Sequence, residues 1–499
     1  MAVTYSYDLL DRLVEKSYHE TGKPDFTIRY TYNAESQLAR LRYEEDGETV
    51  GSYAFEYDSL GRLIRSTAMD ENGSVTQRTE HLYDAFNRLS GQSWTLGAQT
   101  YSERYAYSDG EKGDGSLTSM TAATGDSLEF GYDALKRLNR VTVKNGSSVI
   151  LNTAYAYRDV SWNRGSAQVE FRNVRLGSDS GMLLEGKKYS YDKAGNLVMI
   201  SESTGDFNKL VEYTYDSQNQ LTSEAYYKSG EAEAYITYNY TYDTAGNLLT
   251  VSQKKGNTTT LLQTYTYGDA QWHDLLTAVN GQAITYDASG NPLSYGGWSF
   301  GWQNGRQLKT ASKTSDGKTE TLEYSYDADG IRTSKTVNGT TTEFFLNGSQ
   351  ILAQKTGDTT MLFFYDSTGK RVGFANGDTL YYYLYNVQGD VIAIMRAATG
   401  QVVARYSYDA WGKCTVTNAS GYTVGEKNPF RYRGYYYDTE TRLYYLYSRY
   451  YSPEFGRFIS ADSAISNSGK SVNGYNLFAY CFNNPVNMDD QAGNWPSWA

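Results

Sequence analysis

Apolar and polar positions alternate along most of the chain, and aromatic residues fill many of the apolar ones. Between Tyr235 and Gln253, Tyr238, Tyr240 and Tyr242 fall at period two with Asn239 and Thr241 between them. That spacing puts three rings on one face of a half-buried strand. Asp243 follows, with a carboxylate able to take a backbone N–H two residues on, and Gly246 supplies the positive φ that closes a tight turn. Leu248, Thr250 and Ser252 then open a return strand with its own alternation. The predicted element is a β-hairpin.

The unit recurs as YDSLGRL at Tyr57–Leu63, YDAFNRL at Tyr83–Leu89, YDALKRL at Tyr132–Leu138, YDKAGNL at Tyr191–Leu197, YDSQNQL at Tyr215–Leu221 and YDASGNPL at Tyr286–Leu293. It continues at Tyr326, Tyr365 and Tyr408, and degenerate copies lie at Tyr32, Tyr107, Tyr157 and Tyr267. The period is about 25 residues at first and tightens beyond Tyr267, which is the signature of a repeat architecture. One hairpin cannot bury its apolar face, so successive hairpins must share one long antiparallel sheet. About 17 units predict roughly 34 strands and a ribbon some 160 Å long, too wide to stay flat. Helical periodicity is almost absent in the first 427 residues. The fold class is all-β, with tandem β-hairpins in a sheet that coils.

Composition sharpens this picture. The 499 residues include 50 Tyr, and aromatics reach 15%, whereas disordered chains lack them. A net charge of -11 with no basic cluster argues against a nucleic-acid partner. No run of about 18 apolar residues predicts a membrane span, and no secretion signal precedes the first strand. The chain starts directly inside the repeat, as a piece of something longer does. Cys414 and Cys481 are expected as buried thiols rather than a disulfide framework. His19, His81 and His273 have no metal-ligand or triad spacing, and the Asp327–Gly330 segment lacks the dense oxygen ligands of a calcium loop, so no cofactor or metal is expected.

From about Lys427 the pattern changes. Four of the six prolines (Pro429, Pro453, Pro485 and Pro496) lie in the last 71 residues. The tandem units give way to one dense stretch, NPFRYRGYYYDTETRLYYLYSRYYSPEFGRFISAD, in which Arg431, Arg433, Arg442, Arg449 and Arg457 are interleaved with Tyr and Phe. Arg stacked on Tyr, with its charge answered by Asp438, Glu440, Glu454 or Asp462, is the expected packing. Asn476 to Asn483 predicts a short helix ended by Pro485.

This stretch resembles the RHS-repeat-associated core domain, and the upstream units resemble YD repeats. The resemblance covers essentially the whole chain and leans towards the wall-associated proteins of Gram-positive bacteria. It divides the chain into a repeat array at 1–427 and a core block at 428–499. It implies a β-ribbon spiralling into a full or partial shell, as in RHS polymorphic toxins, toxin-complex C subunits and teneurins, with the core block as plug; Arg433, Arg449 and Arg457 belong to that plug. It also implies a secreted, surface or cell-wall location and a C-terminal toxin or effector partner, released by self-cleavage. The family's two cleavage aspartates match Asp462, in Ser460-Ala461-Asp462-Ser463, and Asp490, in Asp490-Gln491-Ala492-Gly493, with the break between Gly493 and Asn494. Both prolines of the family pattern are replaced, by Ser463 and Gln491, and its apolar residue after Gly is Asn494. Two carboxylates sharing a proton can run such a reaction, and Asp equally caps turns.

Three functions are therefore expected: a non-catalytic shell for an effector absent from these residues, an adhesion array binding surface glycans through exposed Tyr, and an aspartyl-type self-processing core. Six residues come after Gly493, too few for a toxin domain.

Overall fold

The computed structural model describes residues 2–498 apart from 20, 23, 110–112, 123–124, 159–165, 203–208, 229, 328, 463–474 and 495. Two long antiparallel sheets account for most of the chain. The first has 23 strands, from Ala2–Tyr7 to Gln282–Ala283, and the second has 14, from Thr285–Tyr286 to Cys414–Asn418. Strand follows strand as a meander, each pairing with its neighbours in sequence. Neither sheet closes: Ala2–Tyr7 pairs with Leu13–His19, and Cys414–Asn418 with Gln401–Tyr408, each on one side. Small sheets of four and two strands complete the chain.

The turns that follow a Tyr-Asp pair are built as the sequence predicts. Asp243 Oδ1 accepts the amides of Ala245 and Asn247, both at 2.9 Å, and Gly246 sits at φ 78°. Where other units lack that glycine, Asp11 (φ 61°), Asn87 (φ 68°) and Lys136 (φ 62°) hold the same left-handed position.

Two further features repeat. A register shift falls at the tyrosine of most Tyr-Asp pairs, as between Glu56 and Tyr57, Leu82 and Tyr83, Thr241 and Tyr242, and Phe364 and Tyr365. Such bulges bend a strand and increase its twist, so their recurrence along the meander coils the ribbon. The same tyrosine reaches back to the preceding hairpin: Tyr83 donates to the Leu63 carbonyl (3.0 Å), Tyr215 to Leu197 (2.7 Å), Tyr242 to Leu221 (2.7 Å) and Tyr408 to Val391 (2.7 Å).

Coiling stacks the second sheet on the first. Gln77 bonds the backbone of Leu346, Glu103 that of Tyr365 and Glu224 that of Ala410. Leu128, Val143, Leu151 and Val174 pack against Tyr382, Leu384, Ala393 and Met395. While the first layer advances from Gln77 to Glu224, the second advances only from Leu346 to Ala410, so the coil tightens.

Replacing Tyr242 by Phe keeps the ring and removes a donor from a carbonyl whose residue is buried. A loss of about 1–2 kcal/mol is expected, read as a lower urea midpoint at unchanged slope.

Candidate functional site

Described residues after Asn428 bond to turns of both sheets, and the turn chemistry changes beneath them. In early units the residue four after Asp is Arg. Arg12, Arg62, Arg88 and Arg137 pair with Asp8, Asp58, Asp84 and Asp133 and lie over the rings of Tyr32, Tyr83, Tyr107 and Tyr157. These arginines hold the carboxyls of Asp8 and Asp58 below the usual carboxylate range. In later units the position is Asn196, Gln220, Asn247 or Asn291, each at most 2% exposed. Neutral Asn196, Gln220 and Asn247 can be buried there because the C-terminal segment supplies their partners, whereas Asn291 bonds Asp287 and the Gly305 carbonyl. Asn476 donates to Asn247 Oδ1 (2.8 Å), Asn483 to Gln220 Oε1 (2.9 Å) and the Gly246 carbonyl (2.7 Å), and Asn484 to Asn196 Oδ1 (3.1 Å). Asn487 accepts the Leu197 amide at 2.6 Å. The sequence marked Asn476 and Asn483 only as the ends of an expected helix; the signal for their role was the change from Arg to Asn or Gln within the repeat.

The helix expected over Asn476 to Asn483 does not form. Asn476 Oδ1 takes the Phe478 amide (3.1 Å), and Cys481, Phe482 and Asn483 all sit at positive φ (51°, 52° and 62°) in a single 3₁₀ turn. The amide seats override a weak local helix pattern. Among the described residues the α-helix is Val424–Lys427. Cys414 and Cys481 are free thiols.

Of the interleaved arginines Arg431, Arg433, Arg449 and Arg457 are buried and Arg442 is exposed, and the charge partners of the buried ones differ from expectation. Arg433 donates to the carbonyls of Gln388, Pro485 and Val486 (3.1 Å to the last). Arg457 reaches Tyr267 Oη (2.8 Å) and the Asp274 carbonyl (2.7 Å), and lies over the Phe478 ring. Asp438 and Glu440 instead answer cations of the second sheet: Arg332 (2.6 Å) and Lys335 (3.2 Å) at Asp438, Lys335 (2.9 Å) at Glu440. Glu454 pairs with Lys413 at 2.8 Å. Of the four acids assigned to core arginines, Asp462 alone keeps such a partner among the described residues, Arg449.

Arg449 gathers the other predicted site residues. Its terminal nitrogen lies 2.9 Å from Asp462 Oδ2 and 3.5 Å from Asp490 Oδ2. The same guanidinium donates to the Leu477 carbonyl (3.1 Å), and its Nε to the Gly493 carbonyl. The Phe458 ring lies beneath it at 3.6 Å. Burial pulls the Arg449 pKa down to about 10 against the opposing pull of the two carboxylates. Ser448 Oγ, which no sequence motif pointed to, lies 2.8 Å from the Gly493 carbonyl and 2.7 Å from the Ala492 carbonyl, and its one proton can serve either. Across the Gly493–Asn494 bond, Asp490 Oδ1 accepts the Asn494 amide at 2.9 Å. Donors at a carbonyl oxygen make its carbon more electrophilic. A cavity of about 630 Å³ opens beside this bond, lined by Arg306, Tyr326, Ser448, Arg449 and Asn494. Ser463 lies outside the described residues.

Gly493 has φ 71°, and a Cβ there meets the Leu446 carbonyl oxygen at 2.6 Å and Ser448 Oγ at 2.8 Å. Gly493→Ala is expected to weaken this corner by about 2 kcal/mol or more. Faster hydrogen exchange at Asn494 and easier proteolytic trimming of the C-terminus report it.

Comparisons with known proteins agree with this architecture. The teneurin YD-shell model matches residues 186–486. The tRNA nuclease WapA of Bacillus subtilis (strain 168) is 37% identical over 286 residues, covering 56% of this chain and 12% of its own length. Double-stranded DNA deaminase toxin A of Burkholderia cenocepacia (strain H111) is 24% identical over 522 residues, covering 95% of this chain and 33% of its own. Among solved structures, the Tc holotoxin pore of Photorhabdus luminescens superposes over 100% of this chain and 27% of the matched chain, with a TM-score of 0.64 at 16% identity, a likeness of fold. The chain thus spans well under half of the relatives it matches. More than half of its own length fits one family model, and the chain belongs to the teneurin YD-shell family.

Proposed function

We propose that the chain is the wall and lid of a toxin-type shell, with residues 1–427 as wall and 428–499 as lid, and that it encloses or presents an effector joined after its C-terminus. The observation that carries this is the lid's seat: Asn476, Asn483, Asn484 and Asn487 fix the C-terminal segment to three consecutive turns, and buried Arg433 and Arg457 anchor it further. A segment so anchored can hold an attached effector against the coil. Relatives named as a tRNA nuclease and a DNA deaminase toxin supply the precedent for an effector. Such a shell works outside its cell or on the surface; no described helix is long and apolar enough to cross a membrane. Appending a reporter domain after Ala499 tests enclosure. The fused reporter should resist protease far longer than the free one, and equal digestion rates rule enclosure out.

Self-cleavage of the Gly493–Asn494 bond is a second function we infer, favoured by the Asp462–Arg449–Asp490 cluster around that bond. Water attacks the Gly493 carbon while Arg449 and Ser448 hold the developing oxyanion. One carboxylate, Asp462, takes a proton from the water. A protonated Asp490 delivers one to the Asn494 nitrogen as the C–N bond breaks, leaving a Gly493 carboxylic acid and a neutral Asn494 amine, with Asp462 now protonated and Asp490 ionised; the new acid then passes its proton to the amine. Gln491 and Asn494 stand where the family pattern has proline and an apolar residue, so the rate is the open quantity. Intact mass after prolonged incubation should fall by the residues Asn494 to Ala499, and Asp490→Asn should stop the change. A wild-type mass that stays constant removes this function and leaves the shell untouched.

A further inference from the structure

The two layers of the coil are joined at buried polar side chains of the first layer that engage single peptide units of the second. At Leu346 the join is complete and neutral. Gln77 Oε1 accepts the Leu346 amide at 2.9 Å, and Gln77 Nε2 donates to the Leu346 carbonyl at 2.5 Å. At Tyr365 the corresponding residue is Glu103, 1% exposed. Glu103 Oε1 accepts the Tyr365 amide at 3.2 Å. The Tyr365 carbonyl lies 3.3 Å from Tyr105 Oη, whose hydroxyl also lies 2.9 Å from Glu103 Oε2.

Tyr105 has one proton and two acceptors within reach. With Glu103 ionised, that proton goes to the carboxylate, the stronger acceptor, and the Tyr365 carbonyl loses its donor. With Glu103 protonated, the carboxyl hydrogen donates to Tyr105 Oη, and the Tyr105 proton turns to the Tyr365 carbonyl. Both backbone groups of Tyr365 are then held, as Gln77 holds both of Leu346.

We propose that Glu103 is a proton-operated clasp between the layers: protonated, it binds the whole Tyr365 peptide unit through Tyr105, and ionised, it keeps the amide and releases the carbonyl. The clasp needs neither an effector nor cleavage, only the stacked layers.

The surroundings put its operating point near neutrality. Burial raises the Glu103 carboxyl to about 7, beyond what the bonds from Gln92 (2.7 Å), Tyr105 and the Tyr365 amide take back. From the second layer the groups facing it are Asp366, which pushes in the same direction, and Tyr365, with Arg371 bonded to the Tyr365 hydroxyl at 3.3 Å. From the first layer they are Tyr105 and, beyond it, Tyr107. The proton bound in the fold is bound less well by the unfolded chain, so the stabilisation is full below the ordinary glutamate range near 4.5. It is lost as the pH rises through about 7. The wall is therefore tighter in acid than above neutrality.

Glu103→Gln in the full chain fixes the clasp closed and copies the natural pair at Gln77. Between pH 5 and pH 8.5 the urea midpoint of the wild type should fall further than that of Glu103→Gln. Amide exchange across residues 361–367, corrected for intrinsic rates, should speed up about fivefold in the wild type alone, the equivalent of one neutral hydrogen bond. Infrared difference spectra supply a measurement independent of stability: at pH 6 the wild type should show a protonated carboxyl band that Glu103→Gln lacks, and at pH 8.5 the two should match. Parallel pH profiles for both proteins, or no band difference at pH 6, overturn the proposal.

Discussion

A tyrosine hydroxyl reaching back to the carbonyl of the preceding return strand is the contact on which the rest of the structure depends. Tyr83 to Leu63, Tyr215 to Leu197, Tyr242 to Leu221 and Tyr408 to Val391 are the same bond at successive points along the coil. A hairpin alone is marginal in water, and the bond ties each hairpin to its predecessor, at Tyr83, Tyr215 and Tyr242 at the position where the register shifts. The ring fills the space that the bulge opens, while its oxygen answers a backbone group. Phenylalanine can do only the first of these, and an amide only the second. One residue in ten is Tyr because both tasks recur in every unit. The bulge supplies twist, the twist coils the ribbon, and the coil brings Gln77, Glu103 and Glu224 onto a second layer more than 180 residues later in the chain.

The hairpins were legible in the sequence because their causes are local. The Tyr238, Tyr240 and Tyr242 alternation, Asp243 and Gly246 act on neighbours within a few residues, and the observed turn repeats them bond for bond. The layer contacts were not legible. Gln77, Glu103 and Glu224 read as ordinary polar positions of strands, and only the coil shows what they face. Asn476 to Asn483 failed for the opposite reason: its apolar spacing fits a helix, but each asparagine has a distant amide to meet, and Cys481 to Asn483 turn left-handed to let them. Of the candidate site, Asp462 and Asp490 came from family resemblance, whereas Ser448 and the linking role of Arg449 came from the structure.

The buried arginines show how an acidic chain carries cations inside. Arg433 and Arg457 are satisfied chiefly by carbonyl oxygens, which a planar guanidinium with five donors can engage several at a time. Lysine, with a compact charge and one nitrogen, cannot replace that span. Arg449 differs from its two neighbours because two carboxylates lie within 3.5 Å of it besides the carbonyls, where Arg433 has only Asp390 at 3.9 Å, and this difference in partners sets the Gly493 corner apart from the rest of the C-terminal segment.

The change from Arg to Asn or Gln in the turns has a consequence for how such a protein can vary in size. Asn196, Gln220 and Asn247 are read one by one by the asparagines above them, so a hairpin gained or lost among those units puts every later seat out of phase. Early turns such as Asp58–Arg62 and Asp84–Arg88 are matched instead to the next hairpin, whose Tyr83 or Tyr107 ring lies under the arginine. Evolution can therefore add or remove whole units among those turns, whereas the units beneath the asparagines have a fixed count.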